Sequence, residues 1–183
     1  MMWIAIGIVG GLLGLVALMA VIGSFLPAGH VCGRTATVAA PPETVWAALV
    51  DVEGQPRWRK DLKRVEVLPS DGGKRQFREH GGQGKIRFVV DEERAPAGAA
   101  PGRLVTRIAD DDLPFGGRWI ISVVASPGGT RVTVTEDGVV KNPVFRFLSR
   151  TVFSLSATQE AWLRGLGRHL GGDVVPAPAA PET

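Results

Sequence analysis

The stretch APPETVW at residues 40–46 marks the start of a helix in this chain, and a second tryptophan follows at position 58. The two prolines interrupt the extended run before them, and Pro42 suits the first position of a helix. Apolar side chains then recur at helical spacing, which predicts a short amphipathic helix at residues 43–51. Residues 55–58 are predicted to form a second, very short helix or a turn.

Outside this segment the apolar residues alternate with polar ones, which indicates β-strands. The predicted strands are residues 31–38, 65–67, 74–80, 85–92, 104–109, 118–125 and 131–136. Short connections rich in glycine, proline and aspartate join the later strands, so neighbouring strands are expected to pair antiparallel. The sequence therefore predicts a sheet of about seven strands.

The longest helix of the domain is predicted near the C-terminus, between Asn142 and Gly171. Asn142 suits the N-cap, and the proline after it suits the first turn. Residues at steps of four and three form one stripe on this helix: Leu148, Val152, Leu155, Gln159, Trp162 and Leu166. A helix with such a stripe needs an apolar surface opposite it. The inward face of the strands is the candidate surface of matching size.

The N-terminal segment has the composition of a membrane helix, because the first 33 residues contain no Asp, Glu, Lys or Arg. Residues 3–26 would form a helix of roughly 36 Å, which exceeds the ~30 Å hydrocarbon core of a bilayer. A cleaved signal peptide would carry basic residues before a shorter apolar run. Residues 1–29 are therefore predicted to be a retained, single-pass transmembrane anchor. Arg34 and the basic residues after it favour a cytoplasmic location for the domain.

Four glycines of this anchor have a spacing that allows two membrane helices to approach closely. They are Gly7 with Gly11 and Gly10 with Gly14. Self-association through this face is one interpretation, and the general frequency of glycine in membrane helices is the other.

The chain as a whole divides into the anchor, a domain at residues 30–171 and a tail at residues 172–183. The tail is rich in proline and alanine and is expected to be disordered.

The composition argues against several functional classes. The formal net charge is only +3 and no block of five Lys or Arg residues occurs, which argues against nucleic-acid binding. Cys32 is the only cysteine, so it cannot form an intramolecular disulfide, and we interpret it as a small residue at the start of a strand. No catalytic motif of the G-x-S-x-G, H-E-x-x-H or Walker A type is present. His30, His80 and His169 are interpreted without a catalytic role, and no metal site or cofactor is expected.

The order of elements resembles a known family. One strand, two short helices, six strands and one long helix, together with APPETVW at 40–46, Trp58 and NPVFR at 142–146, resemble the START-like superfamily. This superfamily is also called SRPBCC or helix-grip, and the resemblance is strongest to its bacterial polyketide cyclase/dehydrase-like members. It covers roughly residues 31–171. It implies an α+β fold in which a curved antiparallel sheet wraps around a long C-terminal helix. A cavity for apolar molecules is expected between the sheet and the helix.

The superfamily has no shared catalytic motif, so the candidate cavity residues come from the alternation of side chains. They are Trp46, Phe77, Phe88, Trp119, Ile121, Val134, Glu136, Leu155, Gln159 and Trp162. Glu136 continues the parity of Val132 and Val134, so it points either inward or into solvent at the rim. Periodicity alone is equally consistent with a cavity and with a filled core.

The expected function is membrane-anchored binding or transfer of a hydrophobic small molecule that is lipid-like or polyketide-like. Two alternatives remain open. One is an enzyme of the cyclase or dehydratase type that acts on an apolar substrate, and the other is an interaction module without a ligand. The lack of an obvious acid–base pair in the sequence favours binding over catalysis.

Overall fold

The computed structural model describes residues 2–151, 154 and 156–183, with side chains from residue 7 onward. The chain begins with helix α1, Met2–Phe25. Within it, Gly7–Phe25 is long and apolar enough to cross a membrane. Its leucine, isoleucine and valine side chains are largely exposed.

The remaining helices and strands follow in the predicted order. The strands are β1 (Gly29–Val38), β2 (Leu62–Asp71), β3 (Lys74–Gly81), β4 (Gly84–Arg94), β5 (Gly102–Ile108), β6 (Phe115–Ser126), β7 (Gly129–Val140) and β8 (Ala177–Ala179). The helices are α2 (Pro42–Val50), a 3₁₀ helix at Val52–Arg57, α3 (Pro143–Thr151) and α4 (Ala157–His169).

All eight strands form one curved antiparallel sheet in the order β2-β3-β4-β5-β6-β7-β1-β8. The strands from β2 to β7 are joined as successive hairpins. β1 is the first strand of the chain, and it pairs with the last long strand, β7, along its whole length. The pairing of β4 with β5 contains a register irregularity between Val90 and Glu92, and irregularities of this kind increase the local bend of a strand. The predicted α+β helix-grip fold is confirmed.

The core lies between the concave face of the sheet and helices α2 and α4. Val123 on β6, together with Val132 and Val134 on β7, is fully buried, as are Leu163 and Leu166 on α4. Inward and outward residues alternate along each strand, so one face of β6 and β7 supplies this surface. The stripe of the C-terminal helix therefore meets the sheet as predicted, but only in the part that belongs to α4.

The single long C-terminal helix of the sequence prediction is divided into α3 and α4. Near the break, the Ser156 backbone N–H donates to Ser154 Oγ at 3.4 Å, and the two hydroxyl oxygens lie 3.1 Å apart. Serine side chains compete with helical hydrogen bonds in this way. Val152 and Leu155 of the predicted stripe lie outside the described residues. Helix α3 packs mainly against α1, and it touches the sheet only at the end of β7.

The C-terminal tail, predicted to be disordered, contributes the short strand β8. This strand pairs with β1 between Gly33 and Thr35. Beyond it, the Glu182 backbone N–H donates to Thr135 Oγ1 at 2.9 Å. The fully buried Thr135 lies on the outer face of β7, so the tail covers part of the convex side of the sheet.

Candidate functional site

The concave face of the sheet contains both fully packed and partly exposed members of the candidate set. Phe77, Ile121, Val134, Gln159 and Trp162 are buried. Trp46, Phe88 and Trp119 are partly buried and pack against the core from its edge, and Glu136 is also partly buried. Leu155 lies outside the described residues. The candidates therefore form a packed centre with a more open margin.

Aromatic rings form much of this surface. Trp162 of α4 meets Trp119 of β6 edge to face at 6.0 Å between ring centroids, and it meets Trp58 in the same way at 5.5 Å. On the neighbouring strands, the Phe77 and Phe88 rings stack at 5.3 Å. Such rings present large apolar areas with few rotatable bonds. Phe88 and Trp119 keep part of this area accessible beside the buried core.

A polar cluster lies next to Trp119 on the same face. Cys32 on β1 is directly opposite Glu136 on β7, and Glu136 is directly opposite Trp119 on β6. His30 Nε2 lies 3.2 Å from Glu136 Oε1, with side-chain exposures of 10% and 23%. Gln159 of α4 completes the cluster, because its Oε1 is 3.6 Å from Cys32 Sγ. Four polar side chains from three elements thus converge on the concave face.

The backbone around the cluster fixes two of these side chains. Gln159 is fully buried, and its amide group donates to the carbonyls of Cys32 and Val134 at 3.1 and 3.4 Å, which turns its oxygen toward the cysteine. Gly138 lies beneath the His30 ring, where a Cβ atom would come within 2.5 Å of the imidazole. A larger residue at position 138 would therefore displace His30 from Glu136.

The cluster has an unusual electrostatic setting for a thiol. Burial raises the pKa of Cys32, the negative charge of Glu136 raises it further, and Arg34 partly opposes both effects. Arg34 itself is held by α4, because its guanidinium donates to Glu160 Oε1 at 3.1 Å and to Ser156 Oγ at 2.8 Å. Cys32 is therefore a protonated thiol near neutral pH.

A second cluster of charged side chains lies farther along the sheet. It consists of Arg59, Asp61 and Glu79, which bind one another. Arg59 donates to both carboxylate oxygens of Glu79 and also to Asp61 at 2.8 Å. Both the Arg59 and Glu79 side chains are about nine-tenths buried. In a buried ion pair that is joined by two hydrogen bonds, each charged group already binds its strongest partner. We therefore assign this group a structural role.

One open cleft of about 440 Å³ lies at an end of the sheet. Its charged lining includes Arg107, Arg118, Asp137 and Lys141. None of the described candidate cavity residues borders it. The outward position of Arg118 and Asp137, which bind each other at 3.1 Å, separates this cleft from the concave face. The cleft is therefore separate from the surface that the candidate cavity residues form.

Sequence reasoning missed His30 and Cys32. The two residues are separated by one position on a strand, so their side chains point to the same face, and this signal was available from the sequence. Their approach to Glu136 was not, because it depends on the register between the first strand and the last long one. Glu136 itself points inward, as its parity with Val134 predicts.

The chain was compared with known proteins. Residues 32–171 match a family described as polyketide cyclase / dehydrase and lipid transport. A comparison with curated proteins gave no match.

Several solved structures have a fold similar to that of this chain. Zhui aromatase/cyclase from Streptomyces sp. R1128 has a TM-score of 0.61 and 18% identity, over 79% of this chain and 99% of that chain. A START superfamily protein from Mycobacterium smegmatis has a TM-score of 0.57 and 22% identity, over 77% and 97% of the two chains. A STAR-related lipid transfer protein from Xanthomonas axonopodis has a TM-score of 0.50 and 17% identity, over 75% and 84%. At these identities the similarity establishes the fold.

Proposed function

Because this chain belongs to the polyketide cyclase/dehydrase and lipid transport family, we propose that it binds or transfers a hydrophobic small molecule on the concave face of its sheet. The observation that carries the proposal is the partly exposed aromatic surface of Phe88 and Trp119 beside the polar cluster. Binding sites for small molecules combine an apolar wall with a few polar groups that orient the ligand. A lipid-like or polyketide-like ligand has both kinds of surface.

The polar end of the ligand would contact the cluster, and its apolar body would lie along the aromatic residues. His30 and Glu136 offer a donor and an acceptor at the open margin, whereas Gln159 is fully buried behind them. In this arrangement Phe77, Ile121 and Val134 support the wall from the packed side. Trp46 lies away from the cluster, next to Gly102 at the far end of β5, and has the smallest part in binding.

We further propose that α1 anchors the protein in the cell membrane with a single pass and that the domain lies on the cytoplasmic side. The Arg146 and Arg150 guanidinium groups lie at the C-terminal end of α1, where they donate to Leu26 and Gly29 carbonyls at 3.1 and 2.9 Å. Positive charge at this position is favourable beside the anionic inner leaflet. A ligand dissolved in the bilayer would then be close to the domain.

Ligand binding can be tested by tryptophan fluorescence, using the full chain in detergent and a panel of brominated fatty acids, sterols and aromatic polyketides. A bound brominated ligand should quench Trp119 most strongly and also Trp162, whose ring lies 6.0 Å away, so Trp119→Phe should lose a clear part of the saturable quenching. Trp46→Phe is the matched control and should retain it. Saturable quenching that both variants retain equally would contradict binding on the concave face. The complete absence of quenching across the panel would favour an interaction module without a ligand.

Membrane anchoring can be tested by replacing Leu15 and Leu18 with Arg. Each charge at the centre of a membrane helix costs about 2.5–3.5 kcal/mol on insertion scales, so the double variant should appear in the soluble fraction. Wild-type protein that fractionates as soluble without detergent would refute the anchor. Digestion of the domain by protease in inverted vesicles, but not in intact cells, is the result expected for the cytoplasmic orientation.

A second candidate function is an enzyme of the cyclase or dehydratase type. The observation in its favour is the His30–Glu136 pair, in which an imidazole nitrogen and a carboxylate lie 3.2 Å apart in a partly buried position. Such a pair can move a proton to or from a bound substrate. Turnover by the full chain that is lost in His30→Gln, while fluorescence quenching is retained, would favour catalysis over transfer.

A further inference from the structure

The polar cluster on the concave face contains three different kinds of metal ligand. One nitrogen of His30, the sulfur of Cys32 and one oxygen of Glu136 all lie within 4.8 Å of one another. Imidazole, thiolate and carboxylate are the three side-chain groups that bind zinc in proteins. These residues come from two paired strands, so the sheet itself sets their spacing.

The spacing is close to that of a coordination shell. In a tetrahedral zinc site with bonds of about 2.0–2.3 Å, neighbouring ligand atoms lie about 3.5 Å apart. His30 Nε2 and Glu136 Oε1 are already 3.2 Å apart. The sulfur of Cys32 lies within 4.8 Å of both other ligand atoms, and it is the ligand with the longest bond to zinc.

We propose that His30, Cys32 and Glu136 bind a divalent transition-metal ion of the zinc class. One thiolate and one carboxylate balance the two positive charges of the ion, and the histidine binds in its neutral form. The complete site is therefore uncharged, which suits a partly buried position. On binding, the S–H bond of Cys32 breaks, the sulfur keeps the electron pair to bind the metal, and the proton leaves to solvent.

One neighbouring residue leaves space for such a site, because Gly138 leaves room for the His30 ring above the strand. Gln159 accepts a hydrogen bond from the Cys32 thiol through its oxygen, 3.6 Å from the sulfur, and metal binding would replace that hydrogen bond with the bond to the ion. With three ligands from the chain, a tetrahedral ion would have one further position for a molecule from outside the chain.

The chain contains a second histidine–glutamate pair that serves as a built-in comparison. His80 Nε2 lies 3.2 Å from Glu66 Oε2, the same distance as in the cluster. Cys32 is the only cysteine of the chain, so this second pair has no sulfur ligand. A hydrogen bond between the two side chains accounts for His80 and Glu66. The convergence of a thiol on His30 and Glu136 is what distinguishes the proposed site.

The test uses Co²⁺ as a spectroscopic substitute for zinc, added alone to the tag-free full chain in detergent. A charge-transfer band from thiolate to cobalt should appear with one equivalent, and Zn²⁺ should remove it. Cys32→Ser should abolish the band. Loss of partners outside the ligand shell already weakens metal sites about 10–100-fold, so His30→Gln and Glu136→Gln should weaken Co²⁺ binding at least about tenfold. His80→Gln should bind like the wild type.

A second measurement covers the case in which a variant folds poorly. Iodoacetamide can alkylate only Cys32 in this chain, and saturating Zn²⁺ should slow that reaction at least about tenfold in folded wild-type protein, because the coordinated sulfur is no longer available. No charge-transfer band and no protection of Cys32 in the wild type would overturn the proposal. A band that persists in Cys32→Ser, or that disappears in His80→Gln, would also overturn it. None of these results depends on the apolar ligand.

Discussion

Helices α3 and α4 follow each other in the sequence, yet they lie against different parts of the molecule. α4 buries Gln159, Trp162, Leu163 and Leu166 against the concave sheet. α3 has no buried residue among those described, and the Phe145 side chain is 53% exposed. Both helices have one apolar and one polar face. An amphipathic pattern therefore shows that a helix needs a partner surface, but it does not identify that surface.

The partner of α3 is the end of the N-terminal helix. Arg146 donates to the carbonyl of Gly23 in the last turn of α1 at 3.3 Å and to that of Leu26 just after the helix at 3.1 Å. It also donates to the Val140 and Lys141 carbonyls just before α3, both at 3.1 Å. The last carbonyls of a helix have no partner further along the helix, so Arg146 binds this end of α1 and joins α1 to the domain.

The largest expected difference between the two helices is in packing. Trp162→Ala should lower the free energy of unfolding by about 3–5 kcal/mol, as for a large aromatic residue removed from a packed core. Phe145→Ala in α3 should change it by no more than about 0.5 kcal/mol, as for an exposed position. The measurement is chemical unfolding of the full chain in detergent.

Equal losses in the two variants would contradict this division between the helices. A smaller loss in Trp162→Ala has a separate meaning if the variant also loses a ligand-induced rise in melting temperature. A ligand that binds only the folded state stabilises it. That combination would place Trp162 at the wall of a cavity instead of in a filled core.

The sequence predicted the strands well because each one carries its own alternating pattern. The seven predicted strands are all present, with differences at their ends. The position of β1 beside β7 could not be read from either strand, since the pairing joins residues that lie far apart in the chain, from Val38 with Thr130 to Gly29 with Val139. The convergence of His30 and Cys32 on Glu136 was missed for this reason. His30 and Cys32 share a face by simple alternation, but Glu136 reaches them only through that pairing.

The division of the C-terminal helix was missed for a different reason. The stripe from Leu148 to Leu166 keeps its helical spacing through the break, so the pattern gives no sign of it. The contact of α3 with α1 depends on a close approach at Gly23, where the Pro143 carbonyl occupies the space that a side chain would need. A glycine in a membrane helix is common, and its sequence position does not reveal such a contact.

The second prediction concerns this close approach. Gly23→Leu should push α3 away from α1, because the new side chain would overlap the Pro143 backbone. Overpacking of this kind typically costs about 1–3 kcal/mol. The loss should appear as faster hydrogen exchange of the α3 amides, with little change in those of α4.

Gly14→Leu is the matched control, because a side chain there meets nothing within 4 Å. It should leave exchange in α3 unchanged. Unaltered exchange of α3 in Gly23→Leu would mean that α3 does not depend on α1.

Gly14→Leu also tests the self-association of the N-terminal helix, which we propose to occur through Gly14 and the glycines near it. A reduced dimer fraction in Gly14→Leu would support that proposal.

The smallest expected effect is at the start of α4, where Arg34 of β1 binds Glu160 and Ser156. Hydrogen bonds from Arg34 and then Arg164 hold the pKa of Glu160 below its usual range. A carboxylate whose pKa is lowered by folding stabilises the native state above its unfolded-state pKa, and this stabilisation is lost as the pH falls through the lower, folded-state pKa. Ion pairs this close to solvent contribute no more than about 1 kcal/mol.

Glu160→Gln should therefore be slightly less stable than the wild type at neutral pH. The difference should shrink as the pH falls below the unfolded-state pKa of about 4.3 and disappear below the lower, folded-state pKa. Thermal unfolding of both proteins across this pH range is the measurement. Glu43→Gln in α2 is the control, since Glu43 is exposed and forms no ion pair among the residues that the structure describes. A difference at Glu160 that persists unchanged in acid would show that the Arg34 contact does not hold the start of α4 on the sheet. Its disappearance in acid would show that α4 is attached to the domain by charge as well as by packing.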